Sequence, residues 1–140
     1  MAVLSSGYAL LYGGGPERAA AVIVVIGTVL AFVAEPLGLH PYGSIAVGMF
    51  LLDLAMLIAF QSLALAADRF WTTWVAGLQQ AAVLVHITRA IAPDIAPFAY
   101  AVGLKGWSYV ILILIIAGTW RHRRRLQIYG SDRCWSPIRW

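Results

Sequence analysis

Several polar and ionisable residues lie inside stretches of this sequence that are otherwise apolar. An Asp or Arg at the centre of a membrane helix costs about 2.5–3.5 kcal/mol on insertion scales, so such residues usually face a partner, a cavity or a ligand. Such residues can bind an ion or proton, or pair between helices. The candidates are Glu35, Asp53, Gln79, His86, Arg89 and Lys105.

Helical spacing gives each of the predicted helices a partly polar side. Asp53 shares a face with Gln61, although the apolar Leu57 lies between them. Gln79 and His86 share a face of a later helix. We expect these sides to meet at the centre of a bundle. The polar sides could then form a path for a transported proton or ion. Alternatively, opposite charges pair there only to fix the packing of the helices.

His86 permits two kinds of chemistry beyond a simple hydrogen bond. Histidine side chains in general can gain and lose a proton near physiological pH, so His86 could relay protons. The stretch Ala82-Val83-Leu84-Val85-His86 also resembles the ligand site of light-harvesting polypeptides, whose histidine binds a bacteriochlorophyll. That resemblance covers five residues and implies a tetrapyrrole at His86. Apart from that resemblance, the sequence predicts no cofactor. It contains no pair of cysteines at metal-ligand spacing, so no metal site is predicted.

The composition indicates a membrane protein. The chain of 140 residues is 61% hydrophobic and 11% charged, whereas a soluble domain carries about 25% charged residues. Its formal charge of +4 does not indicate nucleic-acid binding, because six of the ten basic residues lie in the last twenty positions, directly after an apolar run. The lipid bilayer is therefore the expected environment.

The pattern predicts an all-α integral membrane protein built as a four-transmembrane-helix bundle. Residues 1–15 are predicted to form a short interfacial segment, and residues 127–140 a basic and aromatic tail. The transmembrane domain, 16–126, is predicted to contain spans at about 16–39, 44–67, 71–91 and 98–120. Each is long enough to cross about 30 Å of hydrocarbon.

The distribution of basic residues predicts that both termini are cytoplasmic, in a bacterial-type inner membrane. With the N-terminus inside, eight of the ten basic residues fall on the cytoplasmic side. We expect the end of the last span and the tail to contact lipid headgroups or a partner protein. The residues predicted for this docking are Arg121, Arg123, Arg124, Arg125, Trp135 and Trp140.

The sequence carries no phosphate-binding glycine motif, nucleophile elbow or HExxH motif, so we expect a non-enzymatic protein. The favoured prediction is a subunit or scaffold that assembles with other membrane polypeptides or with itself. The first alternative is a small proton- or cation-coupled transporter or channel using Asp53 and His86. Four spans resemble small multidrug transporters in size, where an early-helix carboxylate binds substrate. The second alternative is a tetrapyrrole-binding redox or pigment protein.

Overall fold

The computed structural model describes residues 1–34, 47–92, 97–132 and Trp135, with the backbone alone for 97–105. The described residues form five α-helices: α1 (Ala2–Tyr12), α2 (Gly15–Ala34), α3 (Val47–Ala66), α4 (Phe70–Ile91) and α5 (Pro97–Tyr129). No strand is present within these ranges; one isolated bridge joins Ala67 and Trp135. The prediction of an all-helical chain is therefore confirmed for the described part.

Two helices, α2 and α3, are long and apolar enough to cross a membrane, judged by length and composition over the described residues. Each has 20 residues and a mean hydropathy of 2.0, and at 1.5 Å per residue each extends about 30 Å. Helix α4 coincides with the predicted third span, and α5 includes the fourth. That these two also cross a membrane stays a prediction. So do the boundaries of the spans and of the flanking segments.

The helices pack mainly against their neighbours in the chain. Helix α3 contacts α2 and α4, α5 contacts α4 and α2, and α1 packs against both α2 and α5. The shared core is apolar and includes Val24, Phe60, Leu63, Val75 and Ile115. All five helices contribute side chains to this core: Ala9 of α1 is fully buried in it, and α1 packs against both α2 and α5.

Small residues permit close approach at two of these contacts. A side chain at Gly27 on α2 would meet the thioether of Met56 on α3. A side chain at Gly118 on α5 would lie 2.8 Å from the indole of Trp71 on α4. Because glycine has no side chain, a large side chain of the neighbouring helix fills each position.

Helix α5 is longer than the predicted fourth span. It has 33 residues, or about 50 Å at 1.5 Å per residue, and it carries the basic run 121–125 within regular helix. Beyond Gly130, which has a positive φ of 69°, the chain turns back. Trp135 then pairs with Ala67, just after α3. The described part of the tail therefore packs on the chain's own helices.

Candidate functional site

The structure brings together three of the predicted polar residues, Asp53, Gln79 and His86, which we call the Asp53 cluster. The Asp53 carboxylate Oδ2 lies 2.9 Å from Nε2 of His86. The Gln79 amide donates to Asp53 Oδ1 at 3.0 Å and to the Asp53 main-chain oxygen at 3.2 Å. These contacts join α3 to α4 by side chains that the sequence places 26 and 33 residues apart.

Burial differs among the three members of the Asp53 cluster. Gln79 and His86 are buried, whereas the Asp53 side chain keeps 22% of its surface exposed. An ionised Asp53 only accepts hydrogen bonds, so His86 must carry a proton on Nε2 to complete the contact. The pair can therefore hold a proton between a carboxylate and an imidazole, or fix two helices in register.

The same geometry bears on the predicted tetrapyrrole. Nε2 of His86 is engaged by Asp53, and the ring of Phe50 lies edge-on to the imidazole with 6.0 Å between centroids. A metal bound at Nε2 would have to displace the carboxylate. The described surroundings thus provide His86 with a hydrogen-bond partner rather than an open coordination position.

A buried polar stripe runs along α4. Thr72, Gln79 and His86 follow one another at intervals of seven residues, and all three are buried. Consecutive members are about 10.5 Å apart along the helix at 1.5 Å per residue. Apolar side chains such as Val75 and Ala82 fill the intervals. No direct hydrogen bond can bridge such a gap, so the stripe by itself is not a continuous proton path.

A second polar cluster lies where α3 leads into α4, and we call its residues Glu17, Arg69, His122 and Asp132 the Arg69 cluster. Arg69 Nη2 donates to Asp132 Oδ2 at 2.5 Å, and its Nε lies 3.7 Å from Glu17 Oε1. His122 Nδ1 lies 2.6 Å from the same Asp132 oxygen. The side chains of Glu17, Arg69 and Asp132 are at most 5% exposed. One guanidinium therefore neutralises two buried carboxylates.

The Asp132 carboxyl is held in its ionised form. Burial raises its pKa, but hydrogen bonds from Arg69 and His122, with the positive charges of Arg69 and Arg125, lower it by more. The net result is a pKa below the ordinary value of 3.8. Asp132 therefore stays charged at any pH near neutrality, and its ion pair with Arg69 persists.

One tryptophan contacts the Arg69 cluster, and a second packs on residues two positions before Glu17 and Arg69 in the sequence. The Trp71 indole donates to Glu17 Oε1 at 3.3 Å. Trp135 packs on Gly15, where an added side chain would lie 2.6 Å from the indole nitrogen. Trp135 was predicted to dock on lipid or on a partner. Its described contacts are with this chain, while 46% of its surface stays exposed.

The arginines predicted for docking divide into two pairs. Arg121 and Arg125 line a cavity between α5 and the start of α4. Arg123 lies over the ring of Tyr12 at 4.4 Å from its centroid, and Arg124 lies 5.6 Å from the centroid of Trp120. Helical spacing explains the division, because positions 121 and 125 are one turn apart and share a face.

The remaining predicted site residues are placed as follows. Arg89 is partly exposed on α4, three residues beyond His86. Lys105 lies in α5, but its side chain is outside the described residues, as are Glu35 and Trp140 altogether. Their predicted roles stay predictions.

Sequence reasoning missed the Arg69 cluster. Taken alone, the sequence indicates only that Glu17 suits the positive end of a helix dipole, that Arg69 marks a water boundary and that His122 belongs to the basic run. A signal was available, since the predicted topology places all three at the same end of the bundle. Asp132 had no such signal, because nothing in the sequence indicated that the tail folds back.

Comparison with known proteins identifies no relative of this chain. The chain matches no protein-family model, and no curated protein or solved structure matches it.

Proposed function

We propose that this chain is a four-span helical membrane protein with both termini cytoplasmic, in a bacterial-type inner membrane. Support comes from the two apolar helices α2 and α3 and from the packing of α4 and α5 beside them. Large apolar side chains also point outward, among them Ile26, Phe32, Ile58 and Leu65, each more than half exposed. In lipid these side chains need no further cover.

Within that membrane fold, the proposed role is non-enzymatic: an integral subunit or scaffold that assembles with other membrane polypeptides or with itself. The observation that carries this proposal is how the buried polar groups are used. The Asp53 cluster joins α3 to α4. In the Arg69 cluster, Arg69, which lies between α3 and α4, connects Glu17 of α2 to Asp132, and Asp132 in turn contacts His122 of α5. Both sets of polar groups connect helices of the chain to each other. That is the use expected of a rigid framework.

The proposal is tested by native mass spectrometry of the particle extracted from its membrane in mild detergent. Co-purification with other polypeptides at fixed stoichiometry, or a discrete homo-oligomer, supports a subunit or scaffold. A monomer that retains no partner refutes it. Asp53→Asn serves as the probe variant and Ser62→Ala as its control on the same helix, because the exposed Ser62 hydroxyl bonds to the Ile58 carbonyl one turn back in its own helix. A scaffold loses assembly with the first and keeps it with the second.

A proton- or cation-coupled transporter is the second candidate, favoured by one observation. Asp53 combines a partly exposed carboxylate with a buried imidazole 2.9 Å away, which is an arrangement that can bind and release a proton. The test is flux into vesicles that contain the purified protein. A transporter loses flux with Asp53→Asn but keeps its assembly, whereas a scaffold shows no flux before or after the change. A tetrapyrrole at His86 would instead give the purified protein visible absorption.

A further inference from the structure

A small cavity opens between the start of α4 and the last turns of α5. Its volume is about 60 Å³. A buried water occupies roughly 10–15 Å³ by this kind of measure, so the cavity has room for about four to six atoms of that size. On α5 the lining residues follow at positions 118, 121, 122 and 125, which form one face of the helix. This spacing selects two arginines of the basic run and leaves out the two between them.

Three arginines line the cavity, and the two on α5 differ from Arg69 in how far carboxylates neutralise them. Arg69, also in the lining, is already neutralised by Glu17 and Asp132. Arg121 has no carboxylate within 4 Å among the residues that the structure describes. Arg125 reaches Asp132 at 3.5 Å and keeps 41% of its side chain exposed. Arg121 therefore brings to the cavity a positive charge that no described carboxylate neutralises, and Arg125 shares its charge with Asp132.

Two further features suit an anion there. Helix α4 begins at Phe70 without a side-chain cap from Arg69, and Phe70 and Trp71 are both in the cavity lining. The positive end of a helix dipole of 22 residues thus adds to the arginines. Phe70 is 75% exposed and stacks edge-on against Trp74, so an apolar surface adjoins the cationic cavity. Two carboxylates oppose an anion: the exposed Asp68 in the lining, and Asp132, which contacts the lining residues Arg69, His122 and Arg125.

We propose that this cavity binds a phosphate group, with Arg121 and Arg125 as its ligands. The source of the phosphate depends on the membrane orientation proposed above. In that orientation the cavity lies at the level of the cytoplasmic lipid headgroups. The phosphate of an anionic lipid fits that position, with its acyl chains along Phe70. Free inorganic phosphate has the same chemistry at the cavity and is distinguished from lipid by experiment.

Lipid binding is measured by native mass spectrometry of the full chain in detergent with added phosphatidylglycerol, and phosphatidylcholine as the neutral comparison. We expect phosphatidylglycerol adducts to weaken by about fivefold for each arginine removed, in Arg121→Gln and in the Arg121→Gln/Arg125→Gln pair. The matched control Arg123→Gln/Arg124→Gln removes the same charge from other faces of the same helix and is expected to keep the adducts. Asp68→Asn is expected to strengthen them.

The outcomes separate the proposal from its alternatives. Equal losses in the two arginine pairs overturn it, since general attraction of a basic segment then explains the binding. Adducts with phosphatidylcholine equal to those with phosphatidylglycerol also overturn it. Phosphorus NMR with inorganic phosphate forms the second arm: line broadening that disappears in Arg121→Gln, together with no selective lipid adduct, assigns the cavity to free phosphate. Resistance of the wild-type chain to alkaline extraction from membranes tests the membrane fold separately.

Discussion

Arg69 is the residue whose removal is expected to destabilise the chain most among the members of its cluster. It lies 2.5 Å from an Asp132 oxygen and 3.7 Å from a Glu17 oxygen, and all three side chains are buried. With an effective dielectric constant of about 20, each pair attracts by about 4–7 kcal/mol before the cost of desolvation is subtracted. Replacing Arg69 by methionine leaves the buried Glu17 carboxylate without a cation among the described residues, and leaves Asp132 with His122 and the partly exposed Arg125, 3.5 Å away. Breaking a buried pair from one side costs about 3–5 kcal/mol.

Asp132→Asn is expected to cost less than Arg69→Met. The asparagine keeps the shape of the side chain and an oxygen that accepts from Arg69, and the guanidinium still neutralises Glu17. The loss is that of a charged hydrogen bond, about 1.5–3 kcal/mol. The free energy of unfolding, measured by denaturant titration in mixed micelles with circular dichroism, should therefore fall further for Arg69→Met by about 1–3 kcal/mol.

Two variants control this comparison. Arg18 is an exposed arginine next to Glu17, and Arg18→Met is expected to change the stability by no more than about 0.5 kcal/mol. Adding Glu17→Gln to Arg69→Met removes the stranded charge of Glu17 and should recover part of the loss. Equal costs for Arg69→Met and Asp132→Asn, or no recovery with Glu17→Gln, would show that one cation does not serve both carboxylates.

Three further outcomes are expected. A double-mutant cycle of Asp53→Ala and His86→Ala should give a coupling energy of about 0.6–1.7 kcal/mol in detergent, and additive effects would contradict their contact. Gly118→Ala should destabilise by about 1–3 kcal/mol because its new methyl group meets Trp71; Gly106→Ala on the same helix meets nothing and should be neutral or better in thermal unfolding. The folded-state pKa of Asp132 is depressed, so its stabilisation is complete above its unfolded pKa of about 3.9 and is lost as pH falls through the lower folded value. Stability curves of the wild type and Asp132→Asn should therefore run parallel above about pH 5 and converge below about pH 4; parallel curves down to about pH 2 would contradict a depressed pKa.

The sequence allowed the helices and part of the site to be predicted, for identifiable reasons. The long apolar stretch 71–91 predicts a helix, and α4 (Phe70–Ile91) occupies that stretch. Residues at helical spacing share a face, so Gln79 and His86 were correctly placed together. Their contact with Asp53 was an expected type of pairing, but nothing in the sequence fixed which of the candidate charges would supply it.

Contacts between residues far apart in the sequence could not be predicted. Arg69 meets Asp132 across 63 positions, and this depends on a turn at Gly130 and on the rotation of α5 about its axis. Neither quantity leaves a periodic pattern in the sequence. The same rotation separates Arg121 and Arg125 from Arg123 and Arg124. The structure is therefore needed to show which arginines of the run 121–125 share a face, before a role can be assigned to each of them.

The late position of Asp132 has a consequence for biosynthesis. Helices α2, α3 and α4 are complete by residue 91, but Arg69 cannot acquire its second carboxylate until residue 132 has been made. At roughly 5–20 residues per second, the 63 intervening positions take about 3–13 s to translate. During that interval the unfinished bundle has an incompletely neutralised arginine at one end. In a chain that stalls before Gly130, Arg69 lacks its Asp132 partner, and quality control could recognise the chain by that incompletely neutralised arginine.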